Sequence, residues 1–530
     1  MNSLMEIPEL ADVPEFETPP PVAHTAPALD QNTAALSGLV LPGGNVSISE
    51  SAKEIFRRIA PSHKLFLRGG AVVELAEMDG APSLELLKPD SFRSRVERFG
   101  NVFAWRAGAK GVAVLQPTTV PKDTAVALLA SSEAREILPP IASVLNCPVL
   151  VETAPGEVTV LGKGYHPNQG GLLIVGGETP PRVPFDEAVK ALLWIIEEFD
   201  FQSEGDRSRA LAALITPELR IGGHLDTNCP LDVAEADLSQ SGKGYRHELV
   251  TGLYREIAYV VARREGGVGS ADESFAAGLI AGRPFIQLDN LRGRIDSQYL
   301  ESFVTAPGLF PARVPRRGEV LINPRRFIIQ LTSNGFESTQ DLANRASICR
   351  IRKRPEFPYR DTRGEVQRRQ PYFLGCVFSI VAEWLARGKP KTTDRRHDFV
   401  EWAQTLDWIC QNLLGAAPML DGHKIAQERV SNPALAWLRS VAVAIEGENR
   451  LGQSLIATEI CELCDLHGIE IPGNPSGEIL ARQQVGSLCK RVFREGERVE
   501  VDGFVIARGP KTVRKPSGDL DTTHGYTVTR

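Results

Sequence analysis

Pro230-Leu-Asp-Val-Ala-Glu-Ala-Asp237-Leu-Ser-Gln-Ser241-Gly242-Lys243-Gly244-Tyr245-Arg246 decides how this chain is read. A short apolar segment runs into a small polar turn, then Gly242-Lys243, then the start of a helical pattern. That is the layout of a phosphate-binding loop, whose backbone amides and lysine cradle the phosphates of a nucleoside triphosphate. The candidate nucleotide-binding residues are Asp237, Ser241, Gly242, Lys243, Gly244 and Tyr245. Against the template G-x-x-x-x-G-K-[ST], Asp237 occupies the first glycine position and Gly244 replaces the hydroxyl residue that normally meets magnesium. A lone Gly-Lys-Gly is most often a surface turn, so the reading depends on the residues downstream of it.

Two apolar runs come next, in a fitting order. Pro284-Phe-Ile-Gln-Leu-Asp289-Asn290 reads as a buried strand that delivers Asp289 at its carboxyl end, where a P-loop core places its magnesium-associated acid. Phe327-Ile-Ile-Gln-Leu-Thr-Ser-Asn334 reads as a second strand. Its terminal Asn334 is suited to polarise an attacking water or to touch a γ-phosphate. Asp341-Leu-Ala-Asn-Arg345 and Ile348-Cys-Arg350-Ile-Arg352 come after it. An arginine just beyond that strand can reach a phosphate in a neighbouring subunit, where its planar fork stabilises transition-state charge. Each piece has a plainer reading. Strands often end in Asp, Asn after a strand is usually a turn former, and an isolated arginine most often lies on a solvated face. Together, in this order, they point to a site for ATP and Mg2+.

The same series, from the Gly-Lys loop through Asp289-Asn290 and Thr332-Ser-Asn334 to Asp341-Leu-Ala-Asn-Arg345, resembles the AAA+ ATPases of phage, plasmid and integrative elements. These are helicase-like modules often associated with primases. The segment Phe199–Arg220 adds to the likeness, because such proteins carry a similar helix before the nucleotide loop. The resemblance spans roughly residues 60–530 and is densest over 195–355. It implies a ring, hexameric in type, with nucleotide held between Lys243 and Asp289 of one subunit and Arg345 of the next. Arg350 is a second candidate for that last role. Two departures stand out: Gly244 lacks the hydroxyl ligand, and Asn290 stands where many AAA+ proteins place a catalytic glutamate. Nucleotide binding is therefore the firmer expectation and fast hydrolysis the lesser one. Glu301 and Asp296 are alternative bases, and nothing in the sequence selects either.

A chain of 530 residues has room for three or four domains with full cores. Its formal net charge of −6 does not draw the whole molecule to polyanions, so any nucleic-acid contact must come from local basic patches. No apolar run is long enough to span a bilayer and the start lacks a signal-peptide layout, which makes the cytoplasm the expected location. Eight scattered cysteines suit a reducing interior with free thiols. Cys461-Glu-Leu-Cys464 has no second pair at metal spacing and lies within a helical apolar pattern, Ile456–Leu466, so a packed helix is expected rather than zinc.

The expected fold class is α/β and multidomain. Residues 1–50, with Thr18-Pro-Pro-Pro-Val22, read as a disordered arm. Residues 51–180 alternate strand-like runs with a helical stretch, Ala125–Glu133, and read as an N-terminal α+β domain. Residues 181–370 carry the P-loop AAA+ core with a parallel sheet, the phosphate-loop helix being expected over Leu249–Val261 with Leu249, Leu253, Ile257 and Val260 facing the core. Gly266-Gly-Val-Gly269 reads as a loop. Residues 371–450 are a helical lid or linker. Residues 451–530 read as a winged-helix domain: a helix stopped at Gly468, a basic helix over Ile479–Phe493, and strands around the Asp502-Gly503 hairpin signal.

Candidate DNA-binding residues fall in two places. Arg316 and Arg317, with Arg313 and the Arg325-Arg326 pair nearby, read either as a loop following a phosphate backbone or as a solvated hairpin or intersubunit contact. Arg482, Lys490, Arg491 and Arg494 mark the basic helix. The arginine-rich stretch 350–369 is expected at a subunit boundary or linker. The functional expectation is an ATP-binding motor on single-stranded or forked DNA, a mobile-element replicative helicase or origin-remodelling ATPase. The alternatives are a hydrolysis-poor, nucleotide-switched DNA scaffold that recruits a primase, polymerase or effector, and a regulator in which the winged helix alone matters.

Overall fold

A computed structural model describes residues 38–107, 113–236, 241–261, 270–291, 294–314, 318–334, 336–354, 360–473, 477–493, 497–501, 503–514 and 520–530. The chain forms two compact units. One comprises Met1–Leu291, Ser297–Asn334 and Arg345–Asp421; the other comprises Arg292–Asp296, Gly335–Asn344 and Gly422–Arg530. Both mix helices with sheets. Among the described residues no helix is long and apolar enough to cross a membrane.

The first unit is organised around six described strands: β1 (Asp200–Phe201), β2 (Leu231–Ala236), β3 (Tyr259–Val260), β4 (Phe285–Leu291), β5 (Ile328–Asn334) and β6 (Ala346–Arg352). Their order across the sheet is β1-β6-β2-β5-β4-β3. Every neighbouring pair is parallel except β1 with β6. Parallel strands covered on both faces need continuous rather than alternating burial. β5 shows this, with Ile328 through Ser333 all buried. Helices α1 (Phe185–Ile196), α2 (Glu204–Ile221), α3 (Lys243–Leu253), α4 (Ala271–Ala281), α5 (Thr362–Arg368), α6 (Gln370–Ala386) and α7 (Val400–Asn412) accompany the sheet. Leu192, Leu211, Leu249, Phe285, Phe373 and Leu406 share its largest apolar core.

The phosphate-loop helix departs from expectation. It begins at Lys243, ahead of the expected Leu249, and stops at Leu253 instead of running to Val261. Arg255 takes a left-handed φ of 52°, and the Glu256 amide turns back to the Thr251 carbonyl at 2.9 Å. The chain then enters the short strand β3. Leu249 and Leu253 are buried as expected, whereas Ile257 and Val260 are about half exposed, at 48% and 57%. Helical apolar spacing happened to continue across a helix stop into the last strand of the described sheet. The expected helix Ala125–Glu133 is likewise two helices, Lys122–Ala130 and Ser132–Ile137. Ser131 breaks them with ψ 155° and caps the second by accepting the Ala134 amide at 3.3 Å.

The expected arm lies outside the described residues as far as 37. Beyond it, Leu39–Val40 pairs in parallel with Val102–Phe103, and Ile48–Ile59 is a helix closed by a Ser47–Glu50 capping box. A three-stranded antiparallel meander (Leu65–Arg68, Ala71–Met78, Ala81–Leu86) follows.

The second unit contains helices His423–Ser431, Pro433–Gly447, Ala457–His467 and Glu478–Val492. Its antiparallel sheet has the order Ser454–Leu455, Leu520–Thr529, Phe504–Arg514, Arg498–Val501. Trp437, Leu463, Val485, Leu488, Ile506 and Val528 fill the core between them. Cys461 and Cys464 face that core, and all eight cysteines are free and buried.

Candidate functional site

β2 ends at Ala236 and α3 begins at Lys243. Asp237 lies outside the described residues. Gly242 makes the turn into α3 with φ 92°, a left-handed conformation that a side chain would resist. A Cβ there would also stand 3.1 Å from the Phe199 ring. The first helical hydrogen bond runs from the Arg246 amide to the Gly242 carbonyl at 2.9 Å. The amides of Lys243, Gly244 and Tyr245 therefore precede it, at the positive end of an eleven-residue helix with no side-chain cap.

Lys243 is half-buried and its Nζ donates to Asn334 Oδ1. Burial pulls the ammonium pKa down, while the nearby Asp289 charge pushes it back up. Asn334 ends β5, directly opposite Ala236 at the end of β2. On the next strand, Asp289 accepts a hydrogen bond from Thr332 Oγ1 at 2.5 Å, and the same hydroxyl accepts the Asn290 amide at 2.7 Å. Between Leu288 and Leu291 the β4–β5 register shifts, and Asn290 sits at φ 48°. This bulge turns Asp289 and Asn290 outward, where both are exposed. Asn is one of the few residues other than Gly that enters the left-handed region readily. The backbone thus supplies a reason for Asn290 that the sequence pattern does not show.

The structure brings Lys243, Asn334 and Asp289 together at the carboxyl ends of adjacent parallel strands, the end at which open α/β sheets take their ligands. Tyr245 lies beside them: its hydroxyl accepts the Arg363 amide at 3.0 Å and its ring centre is 6.0 Å from that of Phe199. Ser241 Oγ is buried with no hydrogen-bond partner among the described residues. At Gly244 a Cβ would meet no atom within 4 Å, so space does not exclude a hydroxyl residue there. Among the described residues no three carboxylate, imidazole or thiol groups gather as a metal cage. The donor set fits Mg2+ in its usual mode, one carboxylate supplemented by phosphate oxygens and water.

Of the two arginines, Arg345 lies apart from this cluster. Arg345 is half-buried at the amino end of β6, where its carbonyl accepts the Leu231 amide at 3.0 Å. The span of β2 separates it from the phosphate-loop end, about 17 Å at 3.3 Å per residue. Within one chain it does not approach Lys243. Arg350 sits within β6 opposite Glu235, and its amide donates to Asp206 at 2.9 Å.

Of the basic candidates, Arg316, Arg317 and Arg494 lie outside the described residues. Arg482, Lys490 and Arg491 are exposed on the helix Glu478–Val492. Arg325 pairs with Asp226 at 2.6 Å and Arg326 donates to the Ile221 carbonyl at 3.0 Å, so both serve the first unit's own structure. Arg360 stacks 4.0 Å over Trp194, and Arg363 pairs with Glu248 at 2.6 Å.

Sequence reasoning passed over two features. Thr332 positions Asp289, and its signal was period-two spacing from Asn334 on one strand face. Asp232, Arg246 and His247 form a buried polar cluster beneath α3. Arg246 grips both Asp232 oxygens, one at 3.1 Å, and His247 Nε2 stands 3.4 Å from Asp232 Oδ2. Burial opposes ionisation of Asp232, but Arg246 and then His247 outweigh it and hold the carboxyl below its usual range. Their signal was the i+3 and i+4 spacing from Lys243.

No protein-family model and no curated protein matches the chain. Among solved structures it is similar to SCCmec type IV Cch, described as an active helicase, with 12% identity, coverage of 86% of this chain and 90% of that one, and a TM-score of 0.30.

Proposed function

We propose that the first unit is a P-loop AAA+ core that binds ATP with Mg2+ and acts as a motor on single-stranded or forked DNA, in mobile-element replication or origin remodelling. The observation that carries this reading is the meeting of Lys243, Asn334 and Asp289 at the start of α3. In this role the amides of Lys243, Gly244 and Tyr245 and the Lys243 ammonium hold the β- and γ-phosphates. Asp289, fixed by Thr332, orients the metal. When bound, Mg2+ offsets phosphate charge and orients the γ-phosphate for in-line attack. Asn334 holds the γ-phosphate or the water opposite it. Arg345, remote from its own site, in this reading acts on a neighbouring subunit's nucleotide in a ring.

In the second unit, helix, short strand, helix, basic helix and a long hairpin succeed one another from Pro433 to Thr529. That succession supports a winged helix, with Arg482, Lys490 and Arg491 toward the DNA backbone. A primase or polymerase is the partner class that suits a replicative motor.

A second reading is a nucleotide-switched DNA scaffold. It is favoured by Gly244, which offers no metal-binding hydroxyl, and by Asn290, whose left-handed backbone sits where a hydrolytic acid would be sought.

The test is binding of a fluorescent ATP analogue with Mg2+, then ATP turnover with and without single-stranded DNA. Lys243→Ala is expected to lose both. Unchanged DNA-stimulated turnover in that variant refutes the site. Tight binding without turnover or fork unwinding selects the scaffold.

A further inference from the structure

Helix α3 packs on the central sheet with a face that is polar in its first turns and apolar beyond, at Leu249, Val250 and Leu253. Lys243, Arg246 and His247 recur at helical spacing, so they line one side of it. The sheet answers with a polar set of its own. Ser347 on β6, Asp232 on β2, Gln330 on β5 and Gln287 on β4 stand opposite one another at one level. Residues directly opposite on parallel strands share a face. Thr332 and Asn334 continue that face on β5 toward the carboxyl end.

Arg246 and His247 are each only 1% exposed and Gln330 is 0% exposed. A buried ion pair is weak evidence for stability, because well-packed apolar residues of similar volume often do as well. What directional polar contacts supply is register. Arg246 meets Asp232 through two parallel hydrogen bonds, and a shift of α3 along the sheet would break both. An apolar face tolerates such a slide. The turn that carries Arg246 and His247 is continuous with Lys243, whose Nζ must meet Asn334 and lie near Asp289. The cluster also holds unused hydrogen-bonding capacity. Arg246 Nε and both Gln330 amide atoms have no hydrogen-bond partner among the described residues.

We propose that Asp232, Arg246 and His247 are positioning residues that set the register of α3 on the sheet and thereby place Lys243 for the phosphates. The proposal rests on the nucleotide reading of Lys243. It assigns the cluster no contact with nucleotide. A displacement of Lys243 by about 1 Å is enough to reduce function on the order of 100-fold.

The experiment compares full-length wild type, Asp232→Asn, Arg246→Met and the double variant Asp232→Leu/Arg246→Met. Thermal melting and equilibrium binding of a fluorescent ATP analogue with Mg2+ are read for each. The single variants leave an unpaired buried group and are expected to melt early. The double variant removes both charges and is expected to regain most of the melting temperature while binding the analogue at least about ten-fold more weakly, by the registry argument. Reduced hydrogen-exchange protection over residues 243–253 in the double variant supports the same conclusion. If the double variant recovers binding together with melting temperature, the cluster is structural only and the proposal falls while the nucleotide site stands. If wild type itself binds no analogue, the nucleotide reading falls and takes this role with it.

Discussion

Glu218 and Glu256 are buried carboxyls that clamp one segment. Glu256 accepts the Asn146 amide at 2.6 Å and its side-chain Nδ2 at 3.0 Å, while Glu218 accepts the Leu150 amide at 2.8 Å. Burial raises both pKa values from 4.5 to about 8, against the lowering effect of those hydrogen bonds and, for Glu256, of Arg283. Cys147 and Tyr254 share the surroundings, and burial raises their pKa values too. In the unfolded chain both carboxyls ionise near pH 4.5; in the folded protein they stay protonated until about pH 8. Their stabilising contribution is therefore complete below pH 4.5, falls as pH rises, and is lost by about pH 8. The slope is about 1.4 kcal/mol per pH unit for each group, or about 3 kcal/mol each between pH 5 and 7. Among the described residues Glu218 accepts through one oxygen only, so Gln keeps that acceptor there, whereas at Glu256 both oxygens accept and a Gln amide nitrogen would face the Asn146 donor. Glu218→Gln should thus gain on wild type by about 3 kcal/mol over that interval, read from denaturant midpoints at pH 5, 6, 7 and 8. Hydrogen exchange at the Leu150 amide should be slower in the variant than in wild type at the higher pH. A wild-type-minus-variant difference that stays flat within about 1 kcal/mol from pH 5 to 8 would refute the argument. The consequence reaches the candidate site, because Glu256 closes the end of α3 through its amide bond to Thr251.

Gly244→Ser has room for its side chain and should leave thermal stability unchanged while tightening Mg2+-dependent binding of an ATP analogue; equal affinity with and without Mg2+ would count against the assigned metal position. Thr332→Val strips Asp289 and the Asn290 amide of a shared buried partner, so a loss of about 1–3 kcal/mol in denaturant unfolding is expected, together with reduced turnover. Asn290→Ala should destabilise by about 1 kcal/mol and Asn290→Gly by less, since φ is positive there; equal effects in thermal melts would show that the backbone is not the reason for Asn290.

Local patterns made the candidate site partly legible. Gly242-Lys243 before a helix, and apolar runs ending at Asp289 and Asn334, are short-range signals that folding preserved because strands and helix starts obey short-range rules. The stop of α3 at Leu253 was not legible. A left-handed Arg255 and an inward Glu256 depend on Asn146, more than a hundred residues earlier in the chain. Arg325 and Arg326 looked like a free basic patch, but their acceptors, Asp226 and the Ile221 carbonyl, come from elsewhere in the sequence.

By itself the sequence determined that apolar strands carry Asp289 and Asn334 near their carboxyl ends, that a helix follows the Gly242-Lys243 turn, and that the chain mixes helix and sheet. Those properties follow from side-chain periodicity and turn chemistry over a few residues. The tertiary structure alone decided that β5 lies between β2 and β4, so that Asn334 meets Lys243 while Thr332 on the same face fixes Asp289. It alone placed Arg345 at the far end of β6 and buried Asp232 against Arg246. Strand order and the pairing of distant charges arise from long-range packing, which no local pattern encodes.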